Sequence, residues 1–200
     1  MLKAPFLIPY IFYNKGMANL ILISGDLAAG KSTLAASLSE ALGIVYLTKD
    51  SLKEIACDAI GYETREENRQ LSDSETDSMI YFFNQSALVN QSLILEANFR
   101  RDEISRIKEI ADENNYQVLL LKLTGDINLL YQRFLDRLVN RHIAHRSLHL
   151  DYSIDRFASY INEIRNEDLL YPAYTIDMTY LDEEEVTEEA LDIVHRELGI

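Results

Sequence analysis

Residues Leu20 to Ser32 read LILISGDLAAGKS, and this segment specifies the fold. From Gly25 onward it matches the phosphate-binding (Walker A) pattern G-x-x-x-x-G-K-[ST] without a substitution. The apolar run before the pattern predicts a buried strand, and the apolar residues after it recur at helical spacing: Leu34, Ala35, Leu38, Ala41 and Leu42. The alternative, a Gly-Lys-Ser turn arising by chance, leaves the flanking strand and helix unexplained. We therefore expect a loop that binds a nucleoside triphosphate.

Each type of residue in this loop has a chemical task. Gly25 and Gly30 let the backbone turn its N–H groups inward, and the N-terminus of the following helix adds a partial positive charge. Lys31 can reach the β- and γ-phosphates, while the Ser32 hydroxyl can bind Mg²⁺. The expected cofactors are thus ATP and Mg²⁺. The residues predicted to bind the nucleotide are consecutive: Gly25, Asp26, Leu27, Ala28, Ala29, Gly30, Lys31, Ser32 and Thr33.

Composition limits the class of protein. A chain of 200 residues suits one α/β domain, and its 48% hydrophobic and 26% charged residues are an ordinary globular balance. The net charge of −14 argues against broad binding to nucleic acids or anionic membranes, which needs a positive field, although a local basic channel would be compatible with it. Cys57 is the only cysteine, so no disulfide can form within the chain. We expect a cytoplasmic location.

The first sixteen residues stand apart from this domain. An apolar run from Phe6 to Tyr13 follows Lys3, as in a signal peptide, but it contains Pro9, is too short to span a bilayer and has no small-residue cleavage site. Translation from Met17 would open directly on the first strand. We therefore expect residues 1–16 to be a leader or a mis-assigned extension, and residues 17–200 to form one P-loop domain.

Strand-like runs and helical patterns alternate along the rest of the chain. Further strands are predicted at 44–47, 93–95, 118–123 and 174–177, with a terminal helix over 183–197. Ser72 and Glu75 match a capping box for the helix after the polar stretch 63–77, and Asp126 is a candidate N-cap. This alternation predicts a three-layer α/β/α fold around a five-stranded, mostly parallel sheet. Ligands in such sheets bind beyond the carboxyl ends of the strands.

Carboxylates follow two of these strands. Asp50 comes directly after the second strand, where it could accept the proton of an attacking hydroxyl, or could cap the helix that begins there. Glu96 ends the third strand, where it could hold Mg²⁺ or contact substrate. Asn98 and Arg100 could supply hydrogen bonds or charge beside it, or merely cap the helix that starts near Asp102.

A basic segment from Arg133 to His149 interrupts an otherwise acidic chain. Arg133, Arg137 and Arg141 are spaced by four, which places them on one face of a helix. Arginines clamp phosphates and offset the charge that develops during phosphoryl transfer, so we predict a helical lid over about 133–150. The alternative is a solvated basic face. The nearby histidines have no paired carboxylate at metal-ligand spacing, so they do not favour a metal site.

Taken together, these motifs resemble the P-loop small kinases. The similar elements are the loop, Thr48-Lys49-Asp50, Glu96-Ala97-Asn98-Phe99, the stretch 137–142 and the stretch 175–179. The most similar branch contains zeta toxins, chloramphenicol phosphotransferase and the kinase domain of phage polynucleotide kinase. The resemblance implies transfer of a γ-phosphoryl group from ATP to a hydroxyl, with Asp50 as base and lid arginines on the phosphates. Glu96 departs from the aspartate of many relatives, which leaves direct or water-mediated metal contact open.

The expected activity is phosphorylation of a hydroxyl group on a small molecule. Lys31, Asp50, Arg133, Arg137 and Arg141 are the predicted catalytic residues, and Ser32 and Glu96 are the predicted metal ligands. A polynucleotide 5′-hydroxyl kinase is one alternative, and it requires a basic groove. A nucleotide-dependent regulatory protein of the toxin type is the other. The acceptor pocket is expected between the helix after Asp50 and the region 63–91, whose aromatic residues (among them Tyr62, Tyr81, Phe82 and Phe83) are candidates to line it.

Overall fold

The computed structural model describes residues 17–145 and 153–200. Residues 1–16, predicted to be a leader, and residues 146–150 of the predicted lid lie outside the described part. The strands of the described part are β1 (Asn19–Gly25), β2 (Tyr46–Thr48), β3 (Leu93–Glu96), β4 (Gln117–Thr124) and β5 (Ala173–Asp177). Its α-helices are α1 (Lys31–Leu42), α2 (Lys49–Ile60), α3 (Arg65–Leu88), α4 (Arg101–Glu113), α5 (Ile127–Leu138), α6 (Ile154–Asn166) and α7 (Glu183–Leu198). A 3₁₀ turn spans Ile143–His145.

The strands form one parallel sheet in the order β2-β3-β1-β4-β5. The predicted three-layer α/β/α P-loop fold is confirmed. β1 is buried along its whole length because it lies at the centre of the sheet, which explains its continuous apolar run. The carboxyl ends of all five strands meet at one edge, where β1 continues into the phosphate-binding loop.

The two faces of β1 supply two separate cores. Ile21 and Ile23 pack on one side against α1 and α7, through residues such as Leu34 and Val194. Leu20 and Leu22 pack on the other side against α3 and α4, with the remaining residues of that core including Met79, Phe83, Ile104 and Ile107. Because successive side chains of a strand point to opposite faces, one short run holds both helical layers to the sheet.

A third, smaller cluster lies away from the sheet. Cys57 of α2, Leu71 of α3 and Ala144 of the 3₁₀ turn are buried together there, with Ala56 and Tyr62 against them. This cluster joins the segment after α5 to the pair of helices α2 and α3.

Several predicted boundaries are wrong. The capping box at Ser72 and Glu75 does not exist, because α3 begins at Arg65 and both residues lie inside it. Thr64 caps the helix instead: its hydroxyl accepts from the Glu67 N–H at 3.1 Å, and the Glu67 carboxylate accepts from the Thr64 N–H at 3.0 Å. The polar residues of 65–77 are therefore the exposed side of a long helix and not a loop before it.

Two further boundaries differ by a few residues. β2 covers Tyr46–Thr48 and not 44–47, because the chain first passes through Gly43 in a left-handed conformation (φ 65°) at the end of α1. α5 ends at Leu138, so Arg141 lies beyond the helix that was predicted to carry it. The N-cap role of Asp126 is confirmed, since its carboxylate accepts from the N–H groups of Asn128 and Leu129.

Candidate active site

A cleft of about 1980 Å³ opens at the carboxyl edge of the sheet. One wall is the phosphate-binding loop with the start of α1, and the opposite wall is formed by α2 and α3. Residues from α5 through the 3₁₀ turn also line the cleft. Most of the residues predicted to act together line this cleft: Leu27, Ala28, Gly30, Lys31, Ser32, Thr33, Asp50, Glu96, Arg137 and Arg141.

Two glycines of the loop are required for different reasons. Gly25 has a φ of 128°, and a Cβ atom there would overlap the backbone carbonyl of Leu123 on β4. Gly30 has a φ of 87°, but a Cβ atom built on it would meet nothing within 4 Å. The first glycine thus permits close packing against β4, while the second sets the backbone turn and faces open space suited to a phosphate.

Asp26 lies in the loop, but its side chain turns away from the cleft. The carboxylate is fully buried and accepts three contacts from the Arg165 guanidinium of α6, at 2.6 to 3.1 Å. It also accepts from the Gly125 N–H at 3.2 Å, while Arg165 donates to the Gly125 carbonyl at 2.7 Å. Asp26 therefore fixes the shape of the loop, and Ala29 is likewise buried in the core and not in the lining of the cleft.

Lys31 is held across the inside of the loop. Its Nζ donates to the carbonyl oxygens of Gly25 at 3.2 Å and Asp26 at 2.8 Å. Burial lowers the pKa of Lys31, while the negative charges of Glu96, Asp50 and Asp26 act in the opposite direction. The Lys31 ammonium thus lies at the centre of the loop, within reach of a phosphate that binds there.

Ser32 and Glu96 form a pair of oxygen ligands beside the lysine. The Ser32 hydroxyl donates to Glu96 Oε2 at 2.9 Å. Glu96 ends β3 and is 5% exposed, and this burial raises the pKa of its carboxyl. A hydroxyl and a carboxylate that lie side by side are both hard oxygen ligands. Ser32 and Glu96 therefore fit a Mg²⁺ ion that also binds phosphate oxygens.

Asp50 stands opposite the loop in the first turn of α2. Thr48 is the N-cap of this helix, since its hydroxyl accepts from the Ser51 N–H at 3.2 Å, so the proposed capping role of Asp50 is wrong. The Asp50 side chain is 64% exposed, and its Oδ1 lies 3.9 Å from Nδ1 of the buried His145. A carboxylate that is free of a capping bond can accept a proton from a bound molecule.

The three lid arginines are placed differently. Arg137 and Arg141 line the cleft, and the Arg141 guanidinium lies 5.8 Å from the centre of the Phe134 ring. Arg133 points elsewhere: its Nη1 contacts Met178 Sδ at 3.4 Å, and it is not part of the lining. The spacing of four in the sequence therefore brings two of the three arginines to the cleft.

The 3₁₀ turn after α5 is anchored to the opposite wall. Tyr62 donates to the Ile143 carbonyl at 2.7 Å, and the Asn68 side-chain amide donates to the Ala144 carbonyl at 3.1 Å. His145 Nε2 lies 3.1 Å from Glu54 Oε1 on α2. This side of the cleft thus depends on α2 and α3 for its shape.

Sequence reasoning missed several residues of the site. No sequence motif marks Arg165, because only the fold brings it to Asp26. Lys53 and Glu75 also line the cleft. The sequence pattern had assigned Glu75 only to a capping box at the start of a helix. Of the aromatic candidates, Tyr62 lines the cleft, Phe83 is fully buried in the core, and the exposed Tyr81 and Phe82 line a separate shallow groove.

The sequence profile of the family named Zeta toxin matches residues 13–186. The chain belongs to the zeta toxin family. No curated protein matches the chain significantly.

Solved structures share the fold over nearly the whole chain. A candidate kinase from Chloroflexus aurantiacus j-10-fl is 25% identical, with a TM-score of 0.75, and the match covers 88% of this chain and 98% of the other. Shikimate kinase from Bacteroides thetaiotaomicron is 14% identical (TM-score 0.60; 91% and 99% covered). Gluconokinase from Sinorhizobium meliloti 1021 is 16% identical (TM-score 0.57; 91% and 94% covered). The two low-identity matches establish a P-loop kinase fold for this member of the zeta toxin family and no more than the fold.

Proposed function

We propose that the protein is an ATP- and Mg²⁺-dependent kinase that transfers the γ-phosphoryl group to a hydroxyl of a small molecule. The observation that carries this proposal is the cleft in which Lys31, Asp50 and Glu96 face one another across the phosphate-binding loop. Membership of the zeta toxin family and the P-loop kinase fold support it. We further propose that residues 17–200 form one kinase domain, with a lid over about 133–150.

The reaction requires two bond changes at phosphorus. The acceptor oxygen attacks the γ-phosphorus, and the bond from that phosphorus to the bridging oxygen of ADP breaks. Asp50 accepts the proton of the acceptor hydroxyl as the new P–O bond forms. Lys31 and the backbone N–H groups of the loop hold the phosphate oxygens in line, while Arg137 and Arg141 offset the developing charge. A magnesium ion held by Ser32 and Glu96 would neutralise charge on the phosphates.

A small molecule is the preferred class of acceptor. The net charge of −14 opposes a long polyanion, and the walls of the cleft include the carboxylates Asp50, Glu54 and Glu96. Within residues 17–145 and 153–200, no helix is both long and apolar enough to cross a bilayer. A cytoplasmic location, where ATP and small metabolites are available, belongs to the same proposal.

Transfer of label from γ-labelled ATP into a metabolite extract tests this proposal. We expect the wild type to label a metabolite that mass spectrometry can identify, and Lys31→Ala to label none. Asp50→Asn should still bind ATP but lose about two to four orders of magnitude in turnover, because the positioned base is gone.

Asp192→Asn is the matched control, since Asp192 is exposed on α7 and outside the cleft. It should keep wild-type turnover. Near-normal turnover of Asp50→Asn would contradict the assigned base, and labelling of added oligonucleotides alone would replace the small molecule with a nucleic acid.

The family membership supports a second candidate, a toxin-like protein whose nucleotide-dependent activity harms the cell that makes it. Induced expression of the wild type would then stop growth, and Lys31→Ala would relieve the arrest. Equal growth with both proteins at equal expression would contradict a toxin.

A further inference from the structure

A buried histidine lies beside the proposed base. His145 ends the 3₁₀ turn and lines the cleft, but its side chain is only 7% exposed. The hydrogen bonds that Tyr62 and Asn68 donate to the carbonyls of this turn fix the backbone that carries the ring. The imidazole is therefore held in place at the wall of the cleft.

Each ring nitrogen of His145 lies near a carboxylate of α2. Nε2 lies 3.1 Å from Glu54 Oε1, and Nδ1 lies 3.9 Å from Asp50 Oδ1. Asp50 and Glu54 are four residues apart, so they lie on the same side of the helix. Because an ionised carboxylate can only accept, the hydrogen bond to Glu54 assigns a proton to Nε2. In the neutral ring, Nδ1 is then a bare acceptor beside Asp50.

The surroundings keep this ring neutral near pH 7. The charged and titratable groups around it are Asp50, Lys53, Glu54, Arg141 and His142. Burial has the largest effect and lowers the pKa of His145. The lysine and the arginine act in the same direction, and the two carboxylates oppose them without reversing the shift. A histidine with a lowered pKa carries no charge at pH 7 and can take up a proton.

A base must also release the proton that it takes from an acceptor. After phosphoryl transfer Asp50 is a carboxylic acid, and its O–H can donate to Nδ1 of His145. The O–H bond breaks as the N–H bond forms, which restores the Asp50 carboxylate and leaves a positive charge on the ring that Glu54 offsets. Exchange with solvent through Glu54, whose side chain is 42% exposed, returns the ring to its neutral form.

The distance between the two side chains is compatible with this transfer. The 3.9 Å from Nδ1 to Asp50 Oδ1 is longer than a hydrogen bond. The Asp50 side chain is 64% exposed, so it can rotate toward the fixed ring. Catalytic hydrogen bonds are often long before the ligands bind and shorten in the reacting complex.

We propose that His145 is a positioning residue that acts through Asp50 and receives the proton that Asp50 takes from the acceptor. Glu54 holds the ring in the tautomer that leaves Nδ1 bare. Protonation of His145 removes this acceptor, so turnover falls as the pH falls through the pKa of the ring. The inference rests on the proposed function for the reaction at Asp50, but the link between the two side chains can be measured without turnover.

NMR of the histidine rings tests this link. Long-range ¹H–¹⁵N correlation spectra are recorded between about pH 5 and pH 8 on the full chain, loaded with Mg²⁺ and a non-hydrolysable ATP analogue. His145→Gln identifies the signals of His145, and we expect the Nε2–H tautomer at neutral pH. Asp50→Asn should lower the pKa of His145 by about 0.5 or more, because it removes a negative charge near the ring. His195, exposed on α7 and outside the cleft, is the internal reference and should titrate equally in both proteins.

Release of phosphate from ATP and Mg²⁺, with water as the acceptor, tests the role of His145 in turnover. His145→Gln keeps a side-chain N–H for Glu54 but cannot take up a proton. It should lower kcat about tenfold, leave the KM for ATP unchanged and move the acid limb of the pH profile to lower pH. In the Asp50→Asn background the same substitution should have no further effect, because His145 acts through Asp50. His195→Gln is the control and should keep the wild-type profile.

Three results would overturn the inference: an Nδ1–H tautomer at neutral pH, a His145 titration that Asp50→Asn does not move, or an equal loss from His145→Gln with and without Asp50. Failure of the proposed function gives a different result. A wild type that shows the linked titration, but neither releases phosphate nor labels a metabolite in the extract, would contradict the kinase activity and leave the link between His145 and Asp50 standing.

Discussion

At the scale of the residue, the phosphate-binding loop and Glu75 owe their geometry to different causes. The pattern from Gly25 to Ser32 depends on local backbone geometry, so neighbouring letters carry its information. Glu75 belongs to a different kind of site, because its burial results from the packing of α2 on α3. From the sequence alone, Glu75 is an acidic residue in a helix, and such residues are most often exposed to solvent.

The shifted titration of Glu75 predicts a pH dependence of stability. Its pKa in the folded chain, about 8, is above the ordinary value of 4.5. The folded state therefore retains a proton that the unfolded chain releases, and the wild type loses stability as the pH rises from about 4.5 to about 8. Glu75→Gln cannot ionise, so its thermal midpoint should rise relative to the wild type across this window and level off above it.

Thermal unfolding at several pH values between 4.5 and 9 gives this comparison. The exposed Asp73→Asn serves as reference, and its difference from the wild type should stay nearly constant over the window. A constant difference for Glu75→Gln as well would show that the carboxyl ionises normally in the folded chain.

At the scale of the element, helices and strands could be located from periodicity, but their ends depended on competing caps. The long helix α3 was predicted to start near Ser72 because a serine and a glutamate stand three residues apart there. Thr64 and Glu67 have the same spacing eight residues earlier and form the actual cap. Similarly, Asp50 matched an N-cap by type, but Thr48 took that role and left Asp50 exposed. Local sequence patterns therefore identified capping motifs but did not determine which of two candidate residues forms the cap.

The cap of α3 gives a prediction at this scale. Thr64→Ala removes the hydroxyl that satisfies the Glu67 N–H, so it should reduce the free energy of unfolding by about 1 kcal/mol. Ser78→Ala, an exposed serine inside the same helix, is the matched control and should cost less. Urea denaturation followed by circular dichroism measures both, and equal values for the two variants would argue against the cap.

At the scale of the whole molecule, one buried ion pair joins distant parts of the chain. Asp26 and Arg165 are 139 positions apart, and together with Gly125 they connect the loop after β1, the end of β4 and α6. The five-stranded parallel sheet could be predicted from the alternation of strands and helices, whereas this connection could not, because no local pattern relates the two residues. The phosphate-binding loop has a complete local motif in the sequence, yet its structure also depends on Arg165, which lies 139 positions after Asp26.

Removal of the Asp26–Arg165 ion pair should lower the free energy of unfolding. Arg165→Met leaves the Asp26 carboxylate buried without its cation, which should cost about 3 kcal/mol in the free energy of unfolding. The double variant with Asp26→Asn should recover part of the loss, since the uncompensated charge is removed. Arg156→Met is the control, because Arg156 is an exposed arginine of the same helix and does not contact Asp26. Chemical denaturation of the wild type, Arg165→Met, Asp26→Asn and the double variant gives the coupling energy, and strictly additive effects would contradict the pair.

The small cluster around Cys57 has a practical consequence. The thiol is 5% exposed, and it is partly covered by Ala144 of the 3₁₀ turn that lines the cleft. Separation of the 3₁₀ turn from α2 would expose the thiol, so the rate of its alkylation by a thiol-specific reagent measures local opening of this cluster. Since the chain has no other cysteine, the mass of the intact protein reads out each event. Cys57 is therefore a built-in reporter of how tightly the 3₁₀ turn is held against α2 and α3.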